Sequence, residues 1–188
     1  METLLPAFIA ALLAEWGDKT QLVIVVLAAR YGKPGPLLIG VAIGALASGL
    51  FASFAGTLMH GTVTLRALSL LVGVSLIFAG ASAFISRKTP DYAATLAGPA
   101  ILAAALGLFL AEFGDRTQFI TFALAAHGDA LLLPAFGSAA GVFVANVPAV
   151  LLGPALAKAV PVTAIRAGGG VLFLIAGLIA ALNALRLV

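Results

Sequence analysis

The chain has 188 residues, 63% of them hydrophobic and only 9% charged, and its mean hydropathy is +1.20. A water-soluble domain of this size needs far more polar surface, so the composition excludes one and predicts an all-α membrane protein. The formal charge of +3 comes from scattered Lys and Arg rather than a basic patch, which excludes a nucleic-acid binder, and with no cysteine there is neither a disulfide nor a thiolate metal site.

A helix needs about 20 apolar residues to cross a hydrocarbon layer of about 30 Å, so a chain of this length has room for about six. Apolar stretches interrupted by charge, Gly and Pro predict spans at 4–29, 36–59, 67–86, 97–126, 131–157 and 163–185. The first follows Met1-Glu2-Thr3, which lacks the basic start of a secretory leader, and is expected to be retained. It also carries Glu15-Trp16-Gly17-Asp18-Lys19-Thr20-Gln21 in its middle. The second has small residues at Gly40, Gly44 and Ser48, a face on which another helix can pack closely. The fourth carries Glu112-Phe113-Gly114-Asp115-Arg116-Thr117-Gln118, and the fifth repeats the small face at Gly137, Gly141 and Ala145. Asn146 stands two residues before Pro148, whose ring should free a carbonyl and bend the helix. That Asn either reaches a site or hydrogen-bonds a neighbouring helix. His60 and His127 fall at span ends and suggest no ligand role.

The two heptapeptides are 97 residues apart, from Glu15 to Glu112, and the same offset aligns other positions without a gap. Leu27-Ala28-Ala29 falls on Leu124-Ala125-Ala126, Gly40 and Gly44 on Gly137 and Gly141, Gly73 on Gly170, and Ala79-Gly80 on Ala176-Gly177. We read a single membrane domain over 1–188, with repeat one at 1–90 and repeat two at 91–188. Three spans per repeat is an odd number, so the second copy should enter the membrane from the opposite side. The expected fold is six transmembrane helices as two inverted three-helix repeats. Arg30, Lys33, Arg87, Lys88 and Lys158, with Arg166 at the edge, fall in the loops after spans one, three and five, against Arg66 and Arg186 on the other side, which predicts the former loops to be cytoplasmic and both termini outside.

Charge at membrane depth is costly and marks function by default. In continuous helices, Glu15 and Asp18, and likewise Glu112 and Asp115, would share a face at i and i+3. Four converging carboxylates in a low dielectric must hold cations or protons. Lys19 and Arg116, four residues after each Glu, are placed to pair with it and to tune the acids rather than to touch the cargo. Four negatives and two positives leave −2, the charge of one divalent cation or of two protons. The candidate metal ligands are Glu15, Asp18, Gln21, Glu112, Asp115 and Gln118. Thr20 and Thr117 are auxiliary, as hydroxyl ligands or as back-bonds to the preceding turn, and so are Lys19, Arg116 and Asn146. Such a set is hard and oxygen-only, suited to Ca²⁺, Mn²⁺ or Mg²⁺ better than to Zn²⁺ or Cu⁺. Gly17 and Gly114 would either let the helix loosen and expose carbonyls or simply give packing room.

The paired Glu-x-Gly-Asp-[Lys/Arg]-[Thr/Ser] signature resembles that of a family of membrane cation transporters, the Golgi manganese/calcium transporters and their bacterial and chloroplast manganese-transporting relatives. The likeness covers the whole chain. It implies a secondary transporter rather than an enzyme, with no resident cofactor, that exchanges Mn²⁺ or Ca²⁺ for protons and exports the metal from the cytoplasm. Glu15, Asp18, Glu112 and Asp115 carry over by motif match. The chain has neither the long acidic central loop nor the N-terminal extension of many eukaryotic members, which suggests a prokaryotic plasma membrane. The residues alone leave open a passive cation channel with a carboxylate filter. They also leave open a proton-coupled exporter of small organic cations, with Trp16 and Phe113 as candidate rings.

Overall fold

The computed structural model describes residues 2–187, and its regular elements are helical. Four helices are long and apolar enough to cross a membrane: α3 (Pro34–Met59), α4 (Leu65–Ser82), α8 (Leu132–Leu152) with its continuation, and α10 (Val162–Leu185). Around them are shorter pieces, α1 (Leu4–Glu15), α2 (Lys19–Tyr31), α5 (Tyr92–Thr95), α6 (Ala100–Glu112), α7 (Arg116–Gly128) and α9 (Leu156–Ala159). A 3₁₀ turn, Gly153–Ala155, links α8 to α9.

The spans expected at 4–29 and 97–126 are therefore not continuous helices. Each stops at the motif's Glu and restarts after its Asp. Gly17 and Gly114 sit at φ +67° and +68°, in the left-handed region where only glycine is free of strain. At 1.5 Å per residue, the 12 residues of α1 reach about 18 Å, too short to cross a bilayer.

The core is small-residued and the periphery is large. α3 buries Gly40, Gly44, Ser48, Gly49, Ala52 and Gly56 while exposing Ile39, Ile43, Phe51, Phe54 and Leu58. In lipid, large apolar groups gain nothing by turning inward, so helices associate where small residues let backbones approach. A Cβ at Gly40 would fall on the Ile101 carbonyl of α6, and one at Gly137 on the Leu4 carbonyl of α1. Likewise Gly44 meets Ala105, and Gly141 meets Phe8. α4 and α10 pack antiparallel, with Gly80 against Gly170 and Gly177 against Gly73.

The loops gather at two ends. Arg30 donates to the Ala94 and Leu96 carbonyls and Tyr31 to the Gly98 carbonyl, while Gly32 and Lys33 share a pocket with Gly153 and Pro154. This end is called the linker face. At the other end, the terminal face, Arg66 donates to the Ala184 and Leu185 carbonyls, His60 bonds the Ala126 carbonyl, and Thr3 lies against Gly128.

Candidate cation site

Both motif breaks are built by the same local chemistry. Asp18 and Asp115 occupy the extended position before α2 and α7, and three residues on, the Gln21 and Gln118 amide oxygens accept from the Gly17 and Gly114 N–H at 3.0 and 2.9 Å. This return bond satisfies a donor freed by the helix start, as a capping box does. Gln21 also donates to the Ala145 carbonyl at 2.9 Å, and Gln118 to the Ser48 hydroxyl at 3.4 Å. The amide oxygens expected to face an ion thus hold the breaks open.

The breaks meet across the repeats. Glu15, Asp18, Thr20, Gln21, Glu112, Asp115, Arg116 and Thr117 are all buried. Glu15 and Asp18 do not share a helix face, and Lys19 does not pair with Glu15, because no helical turn connects them. Instead Lys19 Nζ lies 3.1 Å from Asp115 Oδ1, and Arg116 Nη2 lies 3.3 Å from Asp18 Oδ1. Arg116 also donates to the Ala14 carbonyl at the end of α1. Thr20 and Thr117 donate to the two oxygens of Glu15, the second at 2.6 Å, so neither back-bonds to its own helix. The N-termini of α2 and α7 add positive dipole ends beside the acids.

The crossed pairs and the Thr117–Glu15 hydrogen bond gather the acids of both motifs into one buried cluster. Yet among the described residues no three His, Cys, Asp or Glu side chains form a group that could hold a metal ion. Basic side chains take up part of the acids' surface: Arg87 and Arg116 stand on Asp18, and Lys19 on Asp115. Asp18 Oδ2, Glu112 Oε1 and Asp115 Oδ2 are buried without hydrogen-bond partners. Unsatisfied carboxylate oxygens are costly, so all three are available to a cation or proton.

Arg87, read from the sequence as a loop charge, reaches inward with Nε 2.7 Å from Asp18 Oδ1. The cluster then holds four acids and three bases, −1 with every group ionised, where the sequence reading had −2. Arg166 Nη1 donates to the Gly17 carbonyl at 3.1 Å. Both arginines line a cavity of about 220 Å³ with Gly17, Gln21 and Val162. Asn146 is buried and donates to the Val142 carbonyl within its own helix at 2.9 Å, leaving its oxygen unpaired; it bonds neither a motif residue nor a neighbouring helix. Phe113 is 58% exposed and stacks on Phe51 and Phe109 at the periphery.

Comparison with known proteins adds an independent line. The profile of the family described as "Divalent cation/proton antiporter GDT1" matches the chain twice, over residues 3–91 and 100–187. A Vibrio cholerae protein named "Putative manganese exporter" is 35% identical over 168 residues, covering 88% of this chain and 84% of its own. Two rice proteins named "GDT1-like protein 3", from the indica and japonica subspecies of Oryza sativa, are 42% identical over 76 residues, 40% of this chain and 27% of theirs. No solved structure matches.

Proposed function

The chain belongs to the GDT1 family of divalent cation/proton antiporters, and from that premise we propose that it carries Mn²⁺ out of the cytoplasm, with Ca²⁺ as the competing cargo. It is a transporter of the membrane, not an enzyme. The observation that carries the reading is the pair of crossed breaks, where buried acids from both motifs meet and three carboxylate oxygens are left without partners. The name of the Vibrio relative supports manganese and export.

The proposed architecture is six spans in two inverted repeats, α1–α2 and α6–α7 each crossing as a broken pair. Its support is reciprocity at the offset of 97. Gly40 against Ile101 is matched by Gly137 against Leu4, and the two Lys/Arg-to-Asp pairs exchange partners across the repeats. An antiparallel α4–α10 pair related by such an exchange has its two-fold axis across the helices, in the membrane plane. The linker face, rich in Lys and Arg, is proposed to be cytoplasmic and the terminal face outside, in a bacterial plasma membrane.

Glu15, Asp18, Glu112 and Asp115 are the proposed ligands and proton carriers. The Gln and Thr side chains position them. Carboxylates that bind Mn²⁺ when ionised and protons when neutral cannot hold both, and this competition is what couples the two gradients. In liposomes, an imposed pH gradient should drive Mn²⁺ flux by the intact protein, and the Glu15→Gln, Glu112→Gln double variant should lose it. Normal flux in that variant would sink the assignment. The sign of the pH effect follows from the same competition. Acidifying the face on which Mn²⁺ is presented should raise its KM there, and a KM that falls with acid would contradict shared carboxylates.

A further inference from the structure

Motif one is covered by two arginines that motif two lacks. Arg87 holds Asp18 at 2.7 Å and Arg166 holds the Gly17 carbonyl at 3.1 Å. Shifting each by 97 residues reaches Ala184 from Arg87 and Ser69 from Arg166, neither of which can carry charge. Gly17 is packed by Val162 and Arg166, whereas a Cβ at Gly114 would meet nothing within 4 Å. The asymmetry thus covers both the charge and the packing of the breaks.

A guanidinium on a carboxylate and another on a backbone carbonyl occupy the two kinds of oxygen that a hard divalent cation takes from a broken helix. The charge balance agrees. With Arg87 on Asp18 the cluster stands at −1, which one proton neutralises and a divalent ion overshoots. With Arg87 withdrawn it stands at −2 and matches one. Arg87 lies past the end of α4 in the non-helical linker before α5, so its withdrawal breaks no helix. Arginine keeps its charge at every relevant pH, so this cover does not dissolve by deprotonation. It has to move.

We propose that Arg87 and Arg166 form a cation-excluding gate on the linker face, their guanidinium groups standing on Asp18 and the Gly17 carbonyl and swinging aside to admit the metal. This rests on the exchange reading above. An ion arriving from the linker face displaces both groups, and one arriving from the terminal face meets neither first. The gate therefore sets the affinity for metal on one face only.

The test is the KM for Mn²⁺ measured separately from each face, in vesicles holding the protein in either orientation under a fixed pH gradient. Arg87→Gln and Arg166→Gln should each lower the linker-face KM by about fivefold or more, the lower range for two ligands coupled through one protein. Arg87→Lys, which restores a charge without the planar fork, should move it part of the way back. Equal shifts at both faces, or no shift in either Gln variant, would overturn the gate. Arg166→Gln gives an independent answer should Arg87→Gln insert poorly. Absence of pH-driven flux in the unaltered protein would instead overturn the exchange reading beneath it.

Discussion

The first and second motif breaks share a sequence but not an environment. At the first, Glu15 accepts from both threonines, Asp18 faces two arginines, and Gly17 lies under Val162 and Arg166. At the second, Glu112 keeps an oxygen without a partner, Asp115 faces only Lys19, and Gly114 is open. Thr117 shows where they diverge. Its repeat mate Thr20 bonds the Glu of its own motif, and Thr117 crosses to the same Glu15 instead of serving Glu112. Two near-identical motifs have folded into unlike environments, the difference on which the proposed one-sided gate rests. Exchanging the two environments would turn the open break into the covered one.

Three pairs of substitutions test that contrast, each comparing a residue with its repeat mate. The largest difference is expected between the crossed cations. Arg116 is fully buried, and Arg116→Gln leaves Asp18 with one fewer partner in low dielectric, at a cost of about 3–5 kcal/mol. Lys19, with its side chain 26% exposed, leaves water a route to the buried Asp115, so Lys19→Gln should cost less, about 1–3 kcal/mol. Thermal unfolding in detergent reads both, and equal losses would show that the two pairs are equivalent after all. Next come the glycines. Gly114→Ala should cost about 1–2 kcal/mol for its left-handed backbone alone. Gly17→Ala adds the collision with Val162, about 1–3 kcal/mol more. A Gly17 variant no worse than its mate would mean that Val162 does not cover the break. The smallest contrast lies in the amides. Gln21→Ala removes two good bonds and Gln118→Ala one good and one long, so the first should cost more by about 1 kcal/mol.

The break itself is legible in the sequence. Asp18-Lys19-Thr20-Gln21 and Asp115-Arg116-Thr117-Gln118 each place an Asp three residues before a Gln at the head of an apolar run, the sequence sign of a helix start. Read beside Gly17 and Gly114, it places the new helix at Lys19 and at Arg116. Hydropathy hid it, because apolar runs on both sides merge into one long span. Arg87 was hidden for a different reason. Its repeat mate is Ala184, so reasoning by internal symmetry discounts it, and its place after a span assigns it to the loop charge. The crossed pairing of Lys19 with Asp115 and Arg116 with Asp18 had no local signal, since i+4 spacing favours the wrong partner.

Sequence alone determined the solvent and the helical class, and it displayed the duplication signal at 97 residues and the candidate acids. Each follows from composition or spacing, and these do not depend on how helices are arranged. Only the tertiary structure decided which base meets which acid, which oxygens remain unpartnered and which of the two breaks the arginines cover. Those depend on where two distant segments lie in space. In a chain whose core is Ala and Gly, that placement is set by close backbone approach, which no single side chain announces.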